Sequence, residues 1–487
     1  MTRAFSQLRQ GQSVGTVLAV LAVCGICVAL ILAAAAGKRQ TVIMLLLLLV
    51  ALYIPLLAAH TSRLWLAGLP LLVFWMPAPF AFFRFAALSA LSLVEALVVL
   101  ALFLSAIRVV AARDDLQPMG LKSFPWVGFL LLFAGAAITY LFAFSTGEEL
   151  PYMRVIVFFP FALGLLILVV VEDAKDALKL LWVLVASAAV LGIVFVLGSR
   201  GVGPFTSSAY AAGSGRASLS FSLPYLGTLV INPESAGDKF AMAFSVAWFL
   251  LLTSTTGPKR LAAGAAASVF AVVVVTAQGR AGLIACVLSV TMLGVWAMRR
   301  GSSERLVALS ATAAGLALTI GLSFYLIFQS QNASYAARIL LLFSAPQNDA
   351  SLVWRVQKWI TAFGIAESHP LGLGLFSPPY GADSTWLTHN LWLFLALSFG
   401  WLGLAGVVLI LVRFGRVFIA GFRSADADGA RLSVLGLVLL GDVLVTGMMS
   451  PLVWEPYSAV LVWVPLWIAF AGVVRCNAGL STGGHHR

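Results

Sequence analysis

Long apolar runs separated by short polar punctuation make up most of this chain. Most are apolar on every side for about 20 residues, the length that carries a helix across a bilayer. Such runs cover 14–36, 41–59, 64–83, 90–111, 124–144, 152–171, 177–198, 237–256, 261–278, 280–298, 304–328, 390–414, 432–450 and 456–474. The third contains Pro70, Pro77 and Pro79 and reads as broken or re-entrant. The pattern predicts an all-α, polytopic membrane helical bundle of about twelve to fourteen transmembrane helices, one integral membrane domain over 1–487 with no internal repeat. Outer-membrane barrels need sustained two-residue alternation, which the runs lack, so an inner or plasma membrane is expected. Run 14–36 is too long, and too poor in a small-residue cleavage site, for a removed signal peptide, and it reads as the first helix.

Two polar stretches interrupt the pattern, 199–236 and 329–389. With the N-terminus in the cytoplasm, Arg108, Arg113, Lys122, Lys175, Lys179, Lys259, Arg260, Arg299, Arg300, Arg305, Arg413, Arg416, Arg423 and Arg431 fall inside, as the positive-inside rule asks. Lys38 and Arg39 depart from it. Both polar stretches then face outward as loops, together with the short junction Gln278-Gly279-Arg280.

Composition agrees with this picture: 61% hydrophobic and 10% charged residues over 487 positions, with mean hydropathy +1.03, exclude a soluble core. The net charge of +12 is distributed over helix ends and forms no basic patch with interleaved aromatics, which argues against a nucleic-acid partner. Cys24, Cys27 and Cys286 lie in apolar runs and Cys476 near the C-terminus, which suggests neither a disulfide framework nor a metal site. No cofactor motif is found.

Most of the outward-facing chemistry lies in 351–412. Ser351 is placed to cap a helix with an apolar stripe of Leu352, Val356, Trp359, Ile360 and Phe363, while Arg355 and Lys358 sit one turn apart. This is an amphipathic interfacial helix, suited to lipid headgroups or, through a planar guanidinium, to a diphosphate. His369-Pro370-Leu371-Gly372-Leu373-Gly374 predicts a tight turn in which His369 is structural or capping. His389 and Asn390 stand where the loop meets the next helix, and histidine is the side chain that ordinarily titrates near neutral pH. Arg200 and Arg216 are the cations of the Gly/Ser-rich first loop, which reads as flexible enough to close over a ligand. Arg280 opens a helix at the membrane mouth. Each arginine also suits a plain headgroup anchor.

In chain order, Arg216 followed by INPESAGDKFAMAFSVAW, then TAQGRAGLIACVLSV, then Arg355 with HPLGLGLF and HNLWLFLALSFGWLGLAG resembles the O-antigen ligase and O-antigen polymerase superfamily, most clearly over 216–412. The resemblance implies a GT-C-like, metal-independent, inverting glycosyltransferase. It would move a glycan from undecaprenyl diphosphate to a sugar hydroxyl, of lipid A core or of a growing glycan, on the periplasmic face. By motif match Arg216 and Arg280 would bind the diphosphate, Arg355 would add a contact, and His389 would be catalytic. Two departures stand out: Asn232-Pro233-Glu234 replaces Asn-Pro-Asn, and Gln278-Gly279-Arg280-Ala281 replaces the usual junction. The first leaves Arg200 as the alternative to Arg216.

Tyr380, Asp383, Trp386 and Asn390 are candidate acceptor contacts, although aromatics at this depth also form ordinary interfacial belts. Two other classes compete with the enzyme. One is a flippase or other secondary transporter, for which Glu95 and Asp442 are the intramembrane ionisable candidates, each also readable as a helix-to-helix contact. The other is a scaffold subunit of an export complex. Ligase and polymerase share the donor chemistry and are not separated at this level.

Overall fold

The structure, a computed structural model, describes residues 64–74, 93–112, 119–142, 153–199, 206–209, 217–223, 227–231, 233–277, 279–299, 350–374, 389–424, 426–450 and 456–483, with isolated positions between 307 and 347. Runs 14–36 and 41–59 and most of 304–328 lie outside the described residues, as do Arg200, Arg216, Tyr380, Asp383 and Trp386.

Numbered among the described residues, the helices are α1 (Leu64–Val73), α2 (Leu93–Ala112), α3 (Met119–Ser123), α4 (Trp126–Phe142), α5 (Phe159–Val170, entered by a π-helical turn Arg154–Phe158), α6 (Ala174–Ser199), α7 (Pro233–Thr253), α8 (Gly257–Thr276), α9 (Arg280–Met298), α10 (Ala350–Ser368), α11 (Leu391–Phe422), α12 (Ala427–Gly447) and α13 (Pro456–Gly483). Seven of them, α6 to α9 and α11 to α13, are long and apolar enough to cross a membrane. The chain is a multi-pass integral membrane protein whose membrane part is an all-α bundle.

Two helices form its centre. Every residue of α7 from 236 to 250 and of α13 from 459 to 474 is buried, as expected for helices apolar on all sides. Around them, helices approach closely where glycines permit it. A Cβ on Gly135 of α4 would lie 2.6 Å from the Phe399 carbonyl of α11, and one on Gly406 of α11 would lie 2.6 Å from the Gly128 carbonyl. Small residues at helix crossings replace the hydrophobic drive that lipid does not supply.

Side-chain contacts fix the direction of each helix. Taking the start of α11 as the upper end, α12 runs back up beside it, with Phe418 against Gly436 and Ser433 against Gly421. α13 descends, and near its foot Cys476 meets Gly429 and Ala177, at the start of α6, meets Gly472. α6 therefore rises, and Phe240 near the start of α7 packs by Gly192 toward its upper end. α9 runs parallel to α7, through Gly282 on Gly237 and Ser289 on Ser245, so Arg280 lies at the upper end.

Two buried polar contacts tie helices together. Arg154 grips Glu95 with Nε on Oε1 at 2.6 Å and Nη2 on Oε2 at 3.2 Å. Asp442 of α12 accepts from Ser245 of α7 at 2.6 Å and from Ser289 of α9 at 3.1 Å, while the two hydroxyls lie 2.7 Å apart. Glu95 and Asp442, the two carboxylates singled out in the sequence, thus serve as helix-to-helix contacts.

The first polar loop differs from its expected flexible character. It carries a three-stranded antiparallel sheet, β1 (Thr206–Ala209), β2 (Ala217–Leu223) and β3 (Gly227–Ile231), in order β1-β2-β3, with Ser220 opposite Thr206 on one side and Val230 on the other. Strand β2 reads ASLSFSL, in which Leu219, Phe221 and Leu223 alternate with serines, the two-residue period of a strand.

Candidate active site

The first turn of α11 is organised by Asn390. Its backbone is extended (φ −148°), and its side-chain oxygen accepts from the N–H groups of Trp392 at 3.0 Å and Leu393 at 3.1 Å, satisfying two donors that a helix start leaves bare. Asn390, expected as an acceptor contact, is buried and engaged in this cap. The preceding residue, His389, has φ 46°, the left-handed conformation that costs a non-glycine residue about 1–2 kcal/mol. Such strain persists where the surroundings over-determine it, and it concentrates at functional sites.

Below His389, α11 breaks and is repaired by another segment. Gly400 adopts φ 69°, ψ −177°, which interrupts the helical ladder. The displaced groups find partners in the turn after α10: Trp401 N–H donates to the Pro370 carbonyl at 3.0 Å, and Leu373 N–H donates to the Leu397 carbonyl at 2.7 Å. Thr139 of α4 donates to the Leu371 carbonyl at 2.9 Å. Gly372 (φ 85°) is needed for the approach, since a Cβ there would lie 2.5 Å from the Gly400 nitrogen. His369 accordingly has the structural role expected of it: its N–H closes the last turn of α10 on Ile365 at 3.0 Å, and its carbonyl accepts from Gly372 at 2.9 Å.

This exchange holds α10 along the upper part of α11. Ala362 and Ala366 pack on Ala396 and Leu397. The apolar stripe of α10 does not face the bundle, because Val356, Ile360 and Phe363 are exposed, a surface suited to lipid. Trp354 meets the His389 ring edge-on, with centroids 5.8 Å apart and planes at 61°. Lys358 Nζ sits 5.4 Å from the centre of the Trp354 ring. Arg355 donates to the Met449 carbonyl just past α12 at 3.4 Å. One helix therefore brings Arg355, Lys358 and an aromatic wall up to His389.

Arg280 belongs to a second group at the same upper end. Gly279 caps α9, and the first turns of α7 and α9 touch backbone to backbone, a Cβ on Gly282 being only 2.5 Å from the Gly237 carbonyl. Beside this contact lie Asp238, whose Oδ1 is 3.6 Å from where a Gly279 Cβ would stand, and the fully buried Lys239. Sequence reasoning missed this charged pair. Its signal was two adjacent ionisable residues opening an apolar run that proves buried all round.

The sequence profile of a family described as O-antigen ligase matches residues 263–408. Over this stretch, less than a third of its length, the chain is similar to the O-antigen ligase family. No curated protein matches the chain. The O-antigen ligase segment runs from α8 into α11 and holds Arg280, Arg355, His389 and Asn390, while Arg200, Arg216, Asp238 and Lys239 precede it. The match supports an O-antigen ligase- or polymerase-type membrane protein, an enzyme of glycosyltransferase type.

Chemically, the upper end of the bundle offers an imidazole at a helix start, a guanidinium on each of α9 and α10, and a lysine over an aromatic ring. That combination suits an anionic leaving group beside a hydroxyl that must lose a proton.

Proposed function

We propose that the protein transfers a glycan from undecaprenyl diphosphate to a sugar hydroxyl at the periplasmic face of the bacterial inner membrane, as a metal-independent, inverting, GT-C-like glycosyltransferase. The observation that supports this most is the assembly of His389, Trp354, Lys358 and Arg355 at the end of the bundle that also carries Arg280.

In this reading the acceptor hydroxyl attacks C1 of the donor sugar from the face opposite the diphosphate, and the C1–O bond to the lipid diphosphate breaks. His389 takes the hydroxyl proton. Charge grows on the departing diphosphate oxygen, and Arg280 and Arg355, with Arg216 or Arg200 from the first loop, stabilise it through charge-assisted, fork-like hydrogen bonds. Tyr380, Asp383 and Trp386 line the acceptor side. The product is an inverted glycoside on lipid A core or on a growing glycan, and undecaprenyl diphosphate is released.

The test uses purified full-length protein in detergent with one labelled lipid-linked donor, with and without lipid A core. A new covalent glycoside, lost in His389→Ala and Arg280→Ala while gel-filtration behaviour is kept, is the expected result. Absence of covalent product in detergent, or near-normal product from either variant, overturns the reading. The acceptor that becomes labelled separates ligase from polymerase.

A further inference from the structure

The lower end of the bundle holds a basic cleft that no step of the proposed reaction uses. It opens between α3, α11 and α13, with a volume of about 390 Å³. Lys122, Arg413 and Arg416 line it, and Val417, Ala420 and Val474 form an apolar floor. Among the described residues that line the cleft there is no carboxylate. Arg413 is fixed in place, its Nε donating to the Ser123 carbonyl at 3.1 Å. The cleft is distinct from the candidate active site, since Arg413 lies 22 residues along α11 from Leu391, on the order of 30 Å and roughly a bilayer's thickness.

Positive charge at helix ends is ordinary in membrane proteins, and orientation accounts for it where cations are scattered. Here cations from two separate segments converge on one concavity that has polar walls and a greasy base. Trp126, which follows the cleft residue Ser123 at the start of α4, is exposed with its indole N–H on the Leu121 carbonyl at 2.9 Å, as an interfacial tryptophan would be. Val127 and Leu130 of α4 are exposed as well, apolar side chains suited to lipid.

We propose that this cleft binds the phosphate of an anionic glycerophospholipid. Arg413 and Arg416 contact the phosphate oxygens, Lys122 adds charge at the mouth, and the glycerol backbone rests on Val417, Ala420 and Val474. Basic pockets between transmembrane helices favour such headgroups, and each cation near the surface strengthens binding several-fold.

The test is native mass spectrometry of delipidated full-length protein titrated with phosphatidylglycerol, phosphatidylethanolamine and inorganic phosphate. Phosphatidylglycerol is expected to bind about tenfold more tightly than phosphatidylethanolamine, and Lys122→Gln/Arg416→Gln, which keeps the Arg413 bond to Ser123, to remove about that advantage. Lys259→Gln, a cation outside the cleft, is expected to leave it unchanged. Equal binding of the two lipids, an unaffected double variant, or an equal loss in Lys259→Gln overturns the proposal. Competition by millimolar inorganic phosphate as effective as that of the lipid also overturns it, by making soluble phosphate the ligand. Should the double variant fail to fold, the comparison of lipids on the unaltered protein decides.

Discussion

Two of the polar clusters among the described residues, at Asp442 and at His389, are built in opposite ways. At Asp442 the carboxylate, Ser245 and Ser289 are wholly buried, come from three helices and hydrogen-bond to one another. At His389 the groups are partly exposed, the backbone is strained, and aromatic and cationic contacts join His389, Trp354 and Lys358. A network buried on all sides, whose hydrogen bonds close on themselves, holds helices together. One that is exposed on a side is reachable by a substrate. The difference argues that ionisable residues in a membrane protein are to be sorted by how their partners are arranged as much as by their depth.

The contrast can be broken most sharply at His389. His389→Ala is expected to lower transfer by roughly 10²- to 10⁴-fold with unchanged thermal stability, the range of a lost general base. A matched loss of stability would place His389 with the structural cluster instead. Next in size, Gly400→Ala puts a side chain 2.6 Å from the Pro370 carbonyl and forces a positive φ on alanine. A cost of about 2–5 kcal/mol follows from the two terms together, and a thermal melt that did not move would refute the backbone exchange. Asp442→Leu leaves two serines facing a methyl group and is expected to cost about 1–2 kcal/mol. Specific activity per folded molecule should hold, and a selective loss of turnover there would erase the distinction between the clusters. The smallest effect is expected at Trp354→Ala, about 0.5–1.5 kcal/mol from the lost edge contact and so up to roughly tenfold in turnover. Trp354→Phe should restore most of it, and steady-state kinetics of the pair checks the assignment.

Much of the bundle was legible in the chain because a spanning helix must satisfy its own backbone and therefore announces itself as an unbroken apolar run. α2, α4, α6 and α9 begin and end within a few residues of where those runs do, and α9 starts at Arg280 as expected. Three features were not read. The break at Gly400 sits in SFGWLG, which carries no proline or charged residue, because its cause is a turn almost thirty residues earlier. The sheet at 206–231 was concealed by Gly/Ser content, although its central strand alternates strictly. Lys239 was unremarkable until α7 proved to have no exposed side. At the site, His389 and the Arg355 helix could be singled out as candidates from the loop–helix junction and the amphipathic pattern. Their contact through Trp354 could not, since it depends on which face of α10 meets α11, and small alanines rather than the apolar stripe make that choice.

The borrowed partners at Gly400 have a consequence for how the protein moves. In the folded protein the Trp401 N–H and the Leu397 carbonyl, which an unbroken helix would pair with each other, are bonded instead to the segment synthesised just before α11. Once docked, α10 and the stretch from Leu391 to Phe399 form a single stiff cap, and peeling one from the other would strand an amide and a carbonyl beside the membrane. On the proposed reading, an opening for a lipid-linked donor carries that cap as one body or leaves it still, and keeps the spacing between His389 and the helix bearing Arg355.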